Sequence, residues 1–257
     1  MTLALQLAAA ATAQPVDDTI NPDRPGLADG SNVVGAGRVQ VETGLQRDDR
    51  SGNGTRSRTL FLPTLLRVGL TDKVEFRVES NTYTRVTQTD PTQGRVKTEG
   101  VAPAAVGLNV HFIDADGSQR PSVGAIVRFF PRSGSSNFGT TRATGDFRLA
   151  ADWDFLPEWS LNPNVGVGLY EGEARRLYTA GLFAATLSYN PSKSLNFFVD
   201  TGVQTPETRH GRTAVLVDVG MAWLIGRDLQ FDFSAGSRVA GETPPRTFLA
   251  AGISQRF

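Results

Sequence analysis

Asp146-Phe147-Arg148-Leu149-Ala150-Ala151-Asp152-Trp153-Asp154-Phe155 is the stretch on which the fold turns. Phe147, Leu149, Ala151, Trp153 and Phe155 hold the odd positions, while Asp146, Arg148, Asp152 and Asp154 hold even ones. A period of two belongs to a strand, whose successive side chains leave opposite faces. One face suits an apolar medium and the other suits water.

The same design recurs on both sides of this stretch. Val39, Val41, Thr43 and Leu45 oppose Arg38, Gln40, Glu42 and Gly44; Val74, Phe76 and Val78 oppose Glu75, Arg77, Glu79 and Asn81. Val215, Val217, Val219, Met221 and Trp223 oppose Asp218 and Gly220, and Leu229, Phe231 and Phe233 oppose Gln230, Asp232 and Ser234. Working outward gives about twelve segments, an even number as single-chain barrels of the bacterial outer membrane require. Their spans are 37–46, 57–70, 74–87, 98–112, 122–131, 145–155, 160–170, 177–189, 195–204, 212–225, 229–237 and 247–257. Pro63 and Pro103 fall inside two of them and cannot donate to a ladder, so irregularities are expected there. Tight links at 71–73, 156–159, 190–194 and 226–228 alternate with longer ones at 47–56, 88–97, 131–144, 205–211 and 238–246. Short periplasmic turns and longer outer loops have this asymmetry.

The apolar face is assigned to lipid for three reasons. A closed sheet of about twelve strands is too wide for side chains to fill. The polar face repeats charges of both signs, which a packed core could hold only as many paired ions. Phe76, Phe112, Phe155, Tyr189, Phe197, Trp223, Phe231 and Phe257 lie on the apolar face near the tight-turn end, as one interfacial girdle. The reading is an all-β, transmembrane, antiparallel up-and-down β-barrel in the outer membrane.

Composition agrees with this class and excludes others. Lys+Arg and Asp+Glu each total 26, leaving no basic excess for a nucleic-acid partner. Two His and no Cys leave little for a metal site and nothing for a thiol nucleophile. Met1–Ala13 (MTLALQLAAAATA) is apolar and ends in an A-x-A site, but no Lys or Arg precedes Arg24. It is read as a signal peptide truncated at its basic end. Residues 14–36 then form a periplasmic N-terminal segment that could fold into the mouth as a plug through Asp23 and Arg24, and residues 37–257 form the barrel. Phe257 closes the last strand, and Leu249, Ala251 and Ile253 precede it at every second position. Terminal strands of outer-membrane proteins resemble this pattern, which the barrel-assembly machinery reads.

Ile20-Asn21-Pro22-Asp23-Arg24-Pro25-Gly26, followed by Gly37-Arg38-Val39-Gln40-Val41-Glu42-Thr43-Gly44, resembles the outer-membrane transporter family named for a meta-pathway of phenol degradation. Its members carry an Asp-Arg-Pro near the start and a Gly-x-x-Gln-x-Glu-x-Gly first strand, and Val68 to Arg77 is similar to the family's first hairpin. The resemblance runs loosely from Asp23 to Phe257. It implies an outer-membrane channel for small solutes, aromatic compounds among them.

The lumen face is expected to present Arg38, Glu42, Arg67, Glu75, Arg77, Glu79, Arg85, His111, Arg128, Arg148, Asp152, Asp200, Asp218 and Asp232, with Arg and Glu on early strands and Asp on later ones. Charges in a water-filled pore set ion preference. Joint replacement of Arg67, Arg77 and Arg128 is accordingly expected to move selectivity toward cations, and a lumen substitution such as Gly220→Arg to be tolerated better than the lipid-facing Val217→Arg. A structural or adhesive barrel is the second reading. An outer-membrane hydrolase is the third, because His111 and His210 fall on opposite sides of the membrane, His210 has Glu207 nearby but no Ser in its loop, and no His-x-Ser-x-Gly stretch occurs. No catalytic residue, metal ligand or cofactor is expected, and the partners are membrane lipids, the assembly machinery and a small solute.

Overall fold

The computed structural model describes residues 18–52, 54–92 and 94–257, apart from the Glu173 side chain. The signal-peptide reading lies outside these residues. The described chain forms β1 (Val39–Gly52), β2 (Thr55–Gly69), β3 (Val74–Asp90), β4 (Gly94–Gly100), β5 (Ala105–Ile113), β6 (Ser122–Phe130), β7 (Thr144–Leu156), β8 (Trp159–Glu171), β9 (Leu177–Ser192), β10 (Leu195–Thr205), β11 (Ala214–Ile225), β12 (Leu229–Ala240) and β13 (Thr247–Arg256).

Apart from β4 and β5, each strand pairs antiparallel with its neighbours in sequence, and β1 pairs with β13 from Gln40↔Arg256 to Asp49↔Thr247. That last ladder closes the sheet and leaves no open edge in lipid. β4 and β5 both pair with β3 and are the outer and inner parts of one wall strand, so the barrel has twelve. The interruption at 101–104 contains Pro103, and the β2–β3 register shifts between Phe61 and Pro63. Both prolines disturb the ladder because neither offers an N–H.

Side-chain polarity is inverted relative to a soluble protein. Among the least exposed residues are Gln40, Glu42, Arg67, Glu75, Arg77, Asn109, Asp200 and Ser254, whereas Phe112, Val165, Val199, Val219, Trp223, Phe231 and Leu249 are exposed. Water solvates no such exterior, but hydrocarbon does. Phe112, Phe197, Trp223, Phe231 and Phe257 project outward near the periplasmic turns, as the girdle requires, and Trp159 packs on Tyr189 with ring centroids 5.0 Å apart.

Three expectations are corrected. The segments 47–56 and 88–97 are not loops: β1–β2 stay paired to Gly52↔Thr55, and β3–β4 to Asp90↔Gly94. Alternation fades there because both faces of these outer hairpins meet water, while the backbone ladder continues regardless of side-chain polarity. Arg85 points outward, where it pairs with Glu99 at 2.7 Å. Phe61↔Thr84 and Pro63↔Asn81 leave two β3 residues opposite one of β2, and the extra residue flips every later side chain. Gly220 faces the lumen but has no room: a Cβ there would come within 2.6 Å of Phe198 Cε1 and run into the Phe233 carbonyl oxygen.

Candidate functional site

The lumen is occupied by the chain's own residues 18–36. Irregular backbone at membrane depth persists only if protein groups satisfy its N–H and C=O. The wall supplies them. The segment leaves the periplasmic rim where Ile20 N donates to Arg227 O at 2.7 Å and Arg256 Nη2 donates to Asp18 O at 2.8 Å. It rises past Glu42, which accepts from Arg24 N at 3.0 Å, to an apex where Leu27 N donates to Asp200 Oδ2 at 2.6 Å. It descends on the far side, with Asp29 N donating to Asn164 Oδ1 at 2.8 Å, Ser31 N to Asp152 Oδ2 at 2.8 Å and Val34 N to Glu75 Oε2 at 3.0 Å. At the rim again, Ala36 N meets Asp72 Oδ1 at 3.2 Å.

Lumen arginines tie the two limbs together. Arg67 grips Glu75 through two nitrogens, at 2.9 and 3.0 Å, and Glu42 at 3.1 Å. Its remaining donors go to the carbonyls of Asn21, on the rising limb, and Asn32, on the falling one, at 3.0 and 2.8 Å. Arg77 pairs with Asp23 on one limb and, at 3.4 Å, with Asp29 on the other. Asp29 also accepts from Arg148 at 2.8 Å. Arg128 pairs with Asp146 through two nitrogens and with Glu79 at 3.1 Å, so its hydrogen bonds go to the wall.

Arg24 lies against Asp232, at 3.0 Å, over facing glycines of the β1–β13 ladder. A Cβ at Gly44 would stand 2.6 Å from Arg24 Nη2, and one at Gly252 would stand 2.7 Å from its Cζ. Only hydrogen at both positions leaves this slot open. Gln40 Nε2 donates to Glu42 Oε1 at 2.8 Å, fixing the carboxylate that receives Arg24 N. The Asp-Arg-Pro and Gln-x-Glu-x-Gly patterns, separate in sequence, thus form one contact in the lumen.

The other expected positions are accounted for as follows. Arg38 is at the periplasmic rim, paired with Asp18 rather than lining the membrane-depth lumen. Asp152 receives Ser31 and, at 2.8 Å, Asn162 Nδ2. His111 sits between the Ser31 carbonyl at 3.1 Å and Asp114 at 2.8 Å, as a strut. Asp218 stands directly opposite Asp200 across β10–β11, buried, with neither carboxylate oxygen partnered. Sequence reasoning missed Leu27, Asp29, Ser31, Asn162 and Asn164. The two asparagines, on alternate positions around Pro163, were the only visible signal of a polar inward row.

The segment divides the remaining space. On its outer side lies a chamber of about 310 Å³ bounded by Leu27, Leu182, Ala214, Leu216 and Pro244. On its periplasmic side lie polar cavities of about 460 and 510 Å³, one beside Asp154, Asn162 and Lys193 and the other beside Arg38, Gln40 and Arg256. In the outer loops, Glu207 accepts from Glu242 N at 2.6 Å, Thr243 N at 2.9 Å and Thr243 Oγ1 at 3.0 Å, holding two loops together over the chamber. Burial works against the Glu207 charge, but the Thr243 and Glu242 amides outweigh it and hold the carboxyl below the usual range.

An apolar exterior, a closed ladder and a lumen threaded by the N-terminal segment define a transmembrane β-barrel of the outer-membrane type. The chain belongs to the family described as "Putative MetA-pathway of phenol degradation", whose model matches residues 22–257. No curated protein matches the sequence. Among solved structures, an outer membrane channel from Pseudomonas putida F1 is similar at 13% identity and a TM-score of 0.65, over 95% of this chain and 100% of that one. The translocator domain of autotransporter NalP from Neisseria meningitidis is similar at 15% identity and a TM-score of 0.55, over 87% and 89% of the two chains. The CymD monoaromatic hydrocarbon channel follows at 8% identity and a TM-score of 0.50, over 86% and 88%. Channels and a translocator share this fold, so the fold alone does not choose between their activities.

Proposed function

We propose that the protein is an outer-membrane channel for passive passage of small solutes, with residues 18–36 as its plug. One observation carries this reading: cavities lie on both sides of the segment, and the segment itself is what separates them. The wall holds it with hydrogen bonds and ion pairs, and no disulfide ties it to the wall, since the chain has no Cys. No energy source is required for such passage. Aromatic compounds are among the proposed solutes, which the family description and the CymD likeness suggest without deciding.

Planar bilayers test the reading. The intact protein should conduct little, and deletion of residues 18–36 should produce discrete steps. A deleted form that folds, as judged by heat-modifiable mobility, yet shows no steps would favour the structural or adhesive reading instead.

A further inference from the structure

The inward face of β8 to β11 changes character with height. Toward the periplasm it is mostly polar, with Asn162 and Asn164 on β8, Thr186 and Ser188 on β9, Asn196 and Asp200 on β10 and Asp218 on β11, and with Phe198, Gly220 and Ala222 as the inward exceptions. One step further out, above the plug apex, the same registers turn inward Gly166, Leu182, Ala184, Gly202, Ala214 and Leu216. A wall that only passed water and ions would have no reason to turn apolar over four adjacent strands, because an apolar lining gives up the contacts that solvate them. The small residues make the space and the leucines coat it. Leu27 closes the floor, its Cδ1 only 3.3 Å from where a Gly202 Cβ would be, and Thr243-Pro244-Pro245 borders the outer side.

Most polar side chains on the chamber wall are engaged, although Arg148 Nε is buried without a hydrogen-bond partner. Asn164 exchanges hydrogen bonds with the Asp29 backbone, at 2.8 and 2.9 Å, and Gln204 Nε2 donates to Tyr178 Oη at 3.2 Å. Among the described residues, Arg148 is the one charged lining residue, its guanidinium against Asp29 and Asp146, and no carboxylate lines the chamber. A volume of about 310 Å³ is at the small end for ligand pockets.

From this geometry we infer that the outer chamber is a binding site for a compact, uncharged, mostly apolar molecule of single-ring size, held on the plug before passage. A cation is disfavoured, since Arg148 is the only charge among the described lining residues and no carboxylate lies there to replace the ion's hydration. A sugar is disfavoured too, because its hydroxyls would lose water with few partners to replace it. The inference rests on the channel reading for its role in passage; the binding itself does not.

Equilibrium binding to the full chain in lipid nanodiscs tests it, with fluorobenzene as the probe and fluorine NMR as the readout. Saturable binding is expected, with a fluorobenzylammonium ion binding about tenfold or more weakly. Leu216→Trp and Ala184→Phe, two independent ways to fill the chamber, should each abolish saturable binding while the barrel keeps its heat-modifiable mobility. Uptake that persists in both filled variants is partition into lipid and overturns the site, as does equal binding of the ammonium probe. Binding by the full chain with no steps from the folded 18–36 deletion upholds the chamber and removes the channel reading, whereas steps from the deletion without binding by the full chain do the reverse.

Discussion

Arg24 and Asp232, 208 residues apart in the chain, meet at 3.0 Å inside the lumen, and the arginine reaches the carboxylate only because Gly44 and Gly252 leave a slot for its guanidinium. The Asp232 side chain has no solvent exposure. Removing one partner of such a pair strands the other charge, which costs about 3–5 kcal/mol. Arg24→Ala should therefore lower the urea midpoint of unfolding, and Arg24→Ala with Asp232→Asn should recover most of the loss. A single variant as stable as the parent would mean that Asp232 does not depend on Arg24.

Gly252→Val isolates the slot from the charges. Its side chain would occupy the space of the Arg24 guanidinium and push the rising limb off β1 and β13. If Arg24 is what seats the segment, the full-length variant should conduct in planar bilayers. Silence from this variant alongside conduction by the deletion would shift the anchoring role to Arg67 and Arg77.

Replacing Arg67, Arg77 and Arg128 was expected to tune ion preference. Arg67 and Arg77 are 1% exposed and committed to the two limbs of the segment, so they act as its clamps. Arg77→Ala should raise open probability far more than it moves the reversal potential, whereas Arg128→Ala, which removes hydrogen bonds to Asp146 and Glu79 on the wall, should leave open probability closer to the parent's. Reversal-potential measurements at low salt separate the two effects.

Val217 faces lipid on β11, and Val217→Arg should cost about 2–4 kcal/mol of barrel stability. The lumen control cannot be Gly220→Arg, whose side chain meets Phe198 and the Phe233 carbonyl. Asn196→Arg opens onto the periplasmic cavity and should be tolerated. Equal losses at 217 and 196 would put the faces the wrong way round.

The Glu207 clasp predicts a pH dependence in the outer loops. Its carboxyl is held below the ordinary value of 4.5, so the clasp is fully formed above that value and is lost as pH falls beneath it. Hydrogen exchange at the Glu242 and Thr243 amides should be slow at neutral pH and quicken in acid, beyond the intrinsic trend. Glu207→Ala should expose both amides at every pH, and unchanged protection in that variant would assign their protection to some other acceptor.

Period-two patterning made the barrel, the strand faces and the girdle readable from sequence, because lipid and water sort side chains residue by residue. Pro63 and Pro103 announced the ladder defects for an equally local reason: a missing N–H. The same signal failed where the medium stops discriminating, so the water-exposed tips of β1–β4 read as loops. It also failed beyond the Thr82–Tyr83 bulge, where one extra residue turned Arg85 outward.

Sequence alone determined the wall and supplied the Asp23-Arg24 and Gln40–Gly44 patterns as separate strings. Only the tertiary structure decided what they do together. Arg24 meets Asp232 because closure brings β1 beside β13, and Arg67 joins Asn21 to Asn32 because the segment turns back on itself at Leu27. The apolar chamber was hidden for the same reason. Leu182, Ala184, Ala214 and Leu216 lie on the inward face, which is largely polar but also holds Leu65, Ile126, Phe198 and Phe248, and no periodicity within one strand shows that these four converge at a single height. Alternation is set by the medium next to each residue, whereas convergence is set by shear and closure of the whole barrel.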